Sequence, residues 1–174
     1  GYNPPATCTD GFYGNWIVDC MKRGTKVIVI DPYYTWTASR AEHWLQIRPG
    51  TDGALALGFL HVIIEEGLYD KEFVEQWCSG FDKLRQRARE YPPSRVSEIT
   101  WVPEEQIRAA ARLFASRKPA SIQWGVPIDM CPEGFGVAMG VIDLWAITGN
   151  IEAPGGMAIA KPAFGVWPYP MDQE

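Results

Sequence analysis

The chain has 174 residues, 47% of them hydrophobic, and a formal charge of -5. That length fits one domain with a sizeable core, and the negative balance argues against a DNA or RNA backbone as partner. A small anionic ligand is still admitted, because backbone amides bind phosphate without net positive charge.

Residues Asn15 to Arg23 carry Trp16, Ile17, Cys20 and Met21 at helical spacing and end at Gly24, which predicts a first helix. Lys26 to Asp31 (KVIVID) is a β-branched run ending in Asp-Pro and reads as a strand buried on both faces. Trp44 to Ile47 predicts a second short strand that delivers the chain into Arg48-Pro49-Gly50-Thr51-Asp52. The next helix runs from about Asp52 to Glu66, with Leu55, Phe59, Val62 and Ile63 on one face and Thr51 or Asp52 as its cap. Asp70 to Cys78 and Phe81 to Glu90 are further helical segments, the second closed by Tyr91-Pro92-Pro93. Pro103 opens a helix to about Ser116, with acids where the helix dipole favours them. Ala120 to Val126 reads as another buried strand, Gly134 to Ile147 as a long helix, and Thr148 to Gly156 as a glycine-rich exit loop. This order predicts an α/β fold, a doubly wound and mostly parallel Rossmann-like sheet with helices on both faces and a helical insertion.

Signals for catalysis are weak. Cys8, Cys20, Cys78 and Cys131 are too widely spaced for a zinc or iron–sulfur motif and are expected as free, mostly buried thiols. His43 and His61 are the only histidines and stand in no HExxH or GxSxG pattern, and there is neither GxGxxG nor a P-loop. Lys83, Arg85, Arg87 and Arg89 spread around a helix and read as a solvated surface rather than an anion site; the acids Glu65-Glu66 read as solvated helix ends. No residue is assigned a catalytic or metal-ligating role. No apolar run approaches the roughly 20 residues of a membrane span, and GYNPPATCTD is not a signal peptide. The opening residues read as a turn with no strand before them. The proline- and aromatic-rich tail, with Phe164, Trp167 and Tyr169, needs a surface to cover it. The chain therefore reads as a segment of something larger.

Ligands of open parallel sheets bind beyond the carboxyl ends of the strands. The points that satisfy this are Gly1-Tyr2-Asn3-Pro4, Asp31-Pro32 and Pro49-Gly50-Thr51-Asp52. Asp31 suits a ribose hydroxyl or a purine edge, and equally suits capping its own turn. Gly50 lets the backbone approach a ligand, the amides of Thr51 and Asp52 lie at a positive helix end, and the Asp52 carboxylate can accept paired N–H groups from guanine. A plain helix cap explains the same turn.

Taken in order, GYNP, GTKVIVIDP, AEHWLQIRPGTDGALALGFLHVIIEEGLYDKEFV, ITWVPEEQIRAAARLFA and TGNIEAPGG resemble the dimethyl sulfoxide reductase family of molybdenum or tungsten enzymes, molybdopterin oxidoreductases such as formate dehydrogenase and nitrate reductase large subunits. The resemblance covers nearly the whole chain. It implies that residues 1–156 are a fragment of an α/β domain that helps clasp a pair of molybdopterin guanine dinucleotides, with the first strand truncated and residues 157–174 an irregular tail towards the next part of the enzyme. It implies that Asn3 lies near the phosphates, Asp31 at the ribose or guanine end, Gly50, Thr51 and Asp52 at the guanosine portion, and Gly125 close to the cofactor from the next strand end. The protein ligand of the molybdenum or tungsten, and any 4Fe-4S cluster, would lie outside this segment. Implied partners are the rest of the catalytic subunit and an iron–sulfur electron-transfer subunit, in bacterial cytoplasm or periplasm. The isolated segment, with an unpaired sheet edge, is expected to self-associate and to be inactive. Tyr33 and Glu42 stand where the family usually has arginine and aspartate. The competing reading is a stand-alone Rossmann-like guanine-nucleotide-binding or interaction module without redox activity.

Overall fold

A computed structural model describes residues 11–159, with side chains from residue 14 onward. The expectations for Asn3, for a truncated first strand and for the tail beyond residue 159 fall outside the described residues. Helix α1 (Gly11–Lys22) leads into strand β1 (Ile28–Ile30), a single 3-10 turn (Ala38–Arg40) and strand β2 (His43–Leu45). Seven further helices follow: α2 (Asp52–Glu65), α3 (Lys71–Trp77), α4 (Phe81–Arg89), α5 (Pro93–Thr100), α6 (Glu104–Ser116), α7 (Val126–Asp129) and α8 (Gly134–Ile147).

The strands pair in parallel, Ile28 opposite His43 and Ile30 opposite Leu45. The Glu42 amide donates to the Val27 carbonyl at 2.8 Å and the Asp31 amide to that of Leu45 at 3.2 Å, extending the ladder at both ends.

The expected doubly wound Rossmann-like sheet is not there. Among the described residues the sheet has two strands only, each of three residues, and the fold is dominated by helices. The cause is visible in Ala120 to Gly125, which keeps a strand's alternation, with Ile122 and Trp124 half-buried between exposed Ser121 and Gln123. A strand also needs a neighbour to take its amides and carbonyls. Here the Ala120 amide donates instead to the Asn150 side chain at 2.9 Å, and no ladder forms. In β1 only Val29 is buried, and Ile30 is 37% exposed, so KVIVID is not sealed on both faces. The helix α5 was not foreseen because Pro92-Pro93 reads as a stop, whereas Pro93 occupies the first turn of a new helix, where a missing N–H is harmless.

The core is built around α2. Leu55, Ala56, Phe59, Leu60, Val62, Ile63 and Ile64 are all buried, because α4, α5, α6 and α8 pack against this one helix. Helices α2 and α8 run parallel: a Cβ at Gly53 would touch Val137, and one at Gly140 would come within 3.2 Å of Ala56. The absence of a side chain at Gly140 is what lets the two backbones approach. Both helices consequently begin at the same end of the molecule.

The opposite end is closed by polar side chains. Thr148 and Asn150 are buried; the Asn150 amide donates to Thr148 Oγ1 at 2.8 Å, and that hydroxyl donates to the Leu144 carbonyl at 2.6 Å. Asp70 caps α3 by accepting the Phe73 amide at 3.0 Å and pairs with Lys118 at 3.1 Å. These two contacts, the amide first, hold its carboxyl below the usual carboxylate range.

Asn150→Ala is expected to lower unfolding stability by about 1–3 kcal/mol, measured by urea denaturation, because it strips the Ala120 amide of its acceptor. Asp70 has its pKa depressed on folding, so its contribution is present above its unfolded value and is lost as pH falls through the folded one. The stability difference between wild type and Asp70→Asn should be full at pH 7 and shrink below about pH 4, read by thermal unfolding across that range.

Candidate functional site

The carboxyl ends of β1 and β2 open into a groove of about 460 Å³. Its walls come from the turn after β1 (Pro32), from β2 and its exit (Trp44, Gln46, Pro49) and from the α5–α6 junction (Trp101, Gln106). Parallel pairing makes this geometry, because it brings the exits of both strands to the same side.

Asp31 stands at the first exit and is only 4% exposed. Its Oδ1 accepts the Tyr33 amide at 2.8 Å, and its backbone carbonyl accepts the Trp44 indole N–H at 2.9 Å. The carboxylate therefore holds its own turn and shapes the groove rim. Tyr33 itself points to solvent, and Glu42 pairs with Lys26 at 2.7 Å.

At the second exit, Gly50 has φ +80°, and a Cβ there would meet nothing within 4 Å. Backbone conformation, not crowding, selects glycine, and the open space leaves the chain approachable from outside. Thr51 sits at the cap position of α2 yet makes no side-chain cap. Its hydroxyl donates to the Arg48 carbonyl at 2.7 Å. The first-turn amides of α2 are thus left without a side-chain acceptor, at the end where the helix dipole is positive. Asp52 is the first residue of that turn and is half-buried.

Of the sequence-based candidates, Asp31 and the Gly50-Thr51-Asp52 turn are brought to adjacent strand exits beside one groove. Gly125 is not among the groove residues; it is the extended residue before α7. Asn3 lies outside the described residues. Sequence reasoning missed Trp101 and Arg48. Trp101 follows α5 with φ +66° and is 68% exposed, and the Arg48 guanidinium lies 5.3 Å from the centre of its ring. The sole clue in the sequence was a tryptophan directly before the Val-Pro-Glu-Glu start of α6.

Several other titratable groups serve the fold. Arg85, Arg87 and Arg89 pair with Asp82, Glu90 and Glu65. Arg112 grips Glu66 with two bonds of 2.8 Å, which lowers the Glu66 pKa, so this acid is a tie between α2 and α6 rather than a solvated helix end. His61 Nδ1 lies 3.0 Å from the Ala88 carbonyl, which can only accept, so that nitrogen carries the proton. Cys20, Cys78 and Cys131 are free and half-buried, less enclosed than expected; burial pushes the Cys78 thiol pKa up. Among the described residues, no group of three histidine, cysteine or acidic side chains could hold a metal ion, and no helix is long and apolar enough to cross a membrane.

A family model described as molybdopterin oxidoreductase matches residues 8–161. Acetylene hydratase of Syntrophotalea acetylenica is 46% identical over 142 residues, which cover 78% of this chain and 20% of that protein. Formate dehydrogenase H of Escherichia coli is 36% identical over 154 residues, covering 88% of this chain and 21% of that protein. Among solved structures, acetylene hydratase from Pelobacter acetylenicus matches with a TM-score of 0.77 at 47% identity, over 81% of this chain and 19% of that one. The chain spans about a fifth of the length of the relatives it matches.

Gly50→Ala should cost about 1–2 kcal/mol of stability in chemical unfolding through backbone strain alone, since the added methyl meets no neighbour.

Proposed function

This chain belongs to the molybdopterin oxidoreductase family, and we propose that it forms one wall of the cradle for a bis-molybdopterin guanine dinucleotide cofactor in a longer molybdenum- or tungsten-dependent enzyme. The observation that carries this reading is the uncapped start of α2 beside an open groove at two parallel strand exits. A dinucleotide needs a positive, amide-rich end for phosphate or base, room for a ring, and backbone that can come close. The groove volume lies in the range of small-molecule sites, and Gly50 leaves the backbone open, so the residues present fit such a group.

In this reading Gly50 and the Thr51 amide lie against the guanosine portion, and the Asp52 carboxylate accepts N–H groups from the guanine edge. Asp31 acts by holding the turn that borders the ribose end. Gly125 approaches from the neighbouring helix start, and Asn3 contacts the dinucleotide near its phosphates. When bound, the cofactor supplies the reaction chemistry at its metal; this chain binds and orients it.

The names of the relatives support a cradle rather than a substrate site. A hydratase and a formate dehydrogenase are both similar to this segment, and a segment that selected the reaction would not suit both. The remainder of the catalytic subunit supplies the substrate funnel, with an iron–sulfur electron-transfer subunit as a further partner.

The test uses the purified full-length protein: metal analysis and quantitation of released pterin, with Asp52→Ala alongside wild type. The expected result is molybdenum or tungsten with a pair of pterin dinucleotides in wild type. In the variant, retention should be about tenfold weaker or more, because a hydrogen bond to a charged group is worth about 1.5–3 kcal/mol. Properly matured protein that contains neither metal nor pterin would sink the proposal.

A further inference from the structure

We propose that Trp101 is the stacking platform for the nucleobase of the nucleotide held in this groove. The inference rests on the cradle reading above and adds to it a residue that no sequence motif marks.

Trp101 has φ +66°, a region where a bulky side chain is strained and glycine is at ease. Such strain persists only where the surroundings enforce it, and it gathers at ligand-holding positions. The surroundings here are specific. Thr100 and Val102, on either side, are fully buried. The Thr100 carbonyl accepts the Arg48 amide at 2.8 Å, its hydroxyl donates to the Val96 carbonyl at 2.7 Å, and the Trp101 amide closes α5 on Ser97 at 2.9 Å. The backbone is thus locked while the indole stands outside.

The indole itself contributes little to the fold. At 68% exposure it buries little surface, so packing does not explain a tryptophan where glycine would be less strained. It lines the same groove as Pro32 and Pro49, the residues that follow Asp31 and precede Gly50. The Arg48 guanidinium lies against the indole, and among the described residues no carboxylate is paired with it. An aromatic face beside an unpaired cation matches a base next to its phosphate: the ring takes the base by stacking, and the cation faces the phosphate charge.

The test compares Trp101→Gly, Trp101→Phe and Asp52→Ala in the full-length protein by two readouts. One is the guanine nucleotide released per polypeptide by acid hydrolysis after extensive dialysis. The other is the melting temperature of protein produced in a host that cannot make the pterin. Trp101→Gly is expected to retain the dinucleotide about tenfold less well than wild type, while melting at the same or a higher temperature, because glycine relieves the backbone strain. Trp101→Phe should recover most of the retention. Wild-type retention in Trp101→Gly overturns the inference, and alongside loss in Asp52→Ala it leaves the cradle reading standing. A lowered melting temperature with lost retention in both Trp101 variants overturns it in favour of a structural role, such as covering by another part of the polypeptide. A wild-type protein that releases no guanine nucleotide removes both readings together.

Discussion

Helix α2 is apolar on nearly every side, and a helix of that kind is stable only when neighbours cover its whole circumference. α4, α5, α6 and α8 do so. Their placement then fixes the rest: α8 runs parallel to α2, with Gly53 facing Val137 and Gly140 facing Ala56, and the junction of α5 and α6 passes the exit of β2, where Arg48 hydrogen-bonds Thr100. The groove is a by-product of covering this helix.

The two ends of α2 are treated differently. Its carboxyl end carries Glu65 and Glu66, acids that the helix dipole disfavours there. Arg89 and Arg112 neutralise them and in doing so fasten α4 and α6 to the core helix. Its amino end has no such closure, for the Thr51 hydroxyl turns back to Arg48 and leaves the first amides uncapped. A helix with one end tied into its own fold and the other left open has a direction in which a ligand can be met.

Three local irregularities border that open end. Gly50 with φ +80°, Trp101 with φ +66° and a cap residue that does not cap all border the same strand exits. Departures of this kind are expected where binding competes with stability. At the far end Asp70, Thr148 and Asn150 satisfy backbone groups with side chains.

Local pattern was enough for α2, α6 and α8, whose apolar spacing, proline starts and glycine stops lie within a few residues of one another, and for the RPGTD turn as a strand exit. It also led to Asp31 and Gly50-Thr51-Asp52, because a residue type at a strand end can be read without knowing its neighbours. It could not decide whether KVIVID and ASIQWGV have partners, since a ladder belongs to two segments and not to one. Nor could it reveal that Glu66 meets Arg112 forty-six residues away, or that the backbone forces Trp101 into a left-handed conformation beside the groove. Those outcomes depend on contacts between residues distant in the chain, and only packing around α2 determines which of them meet.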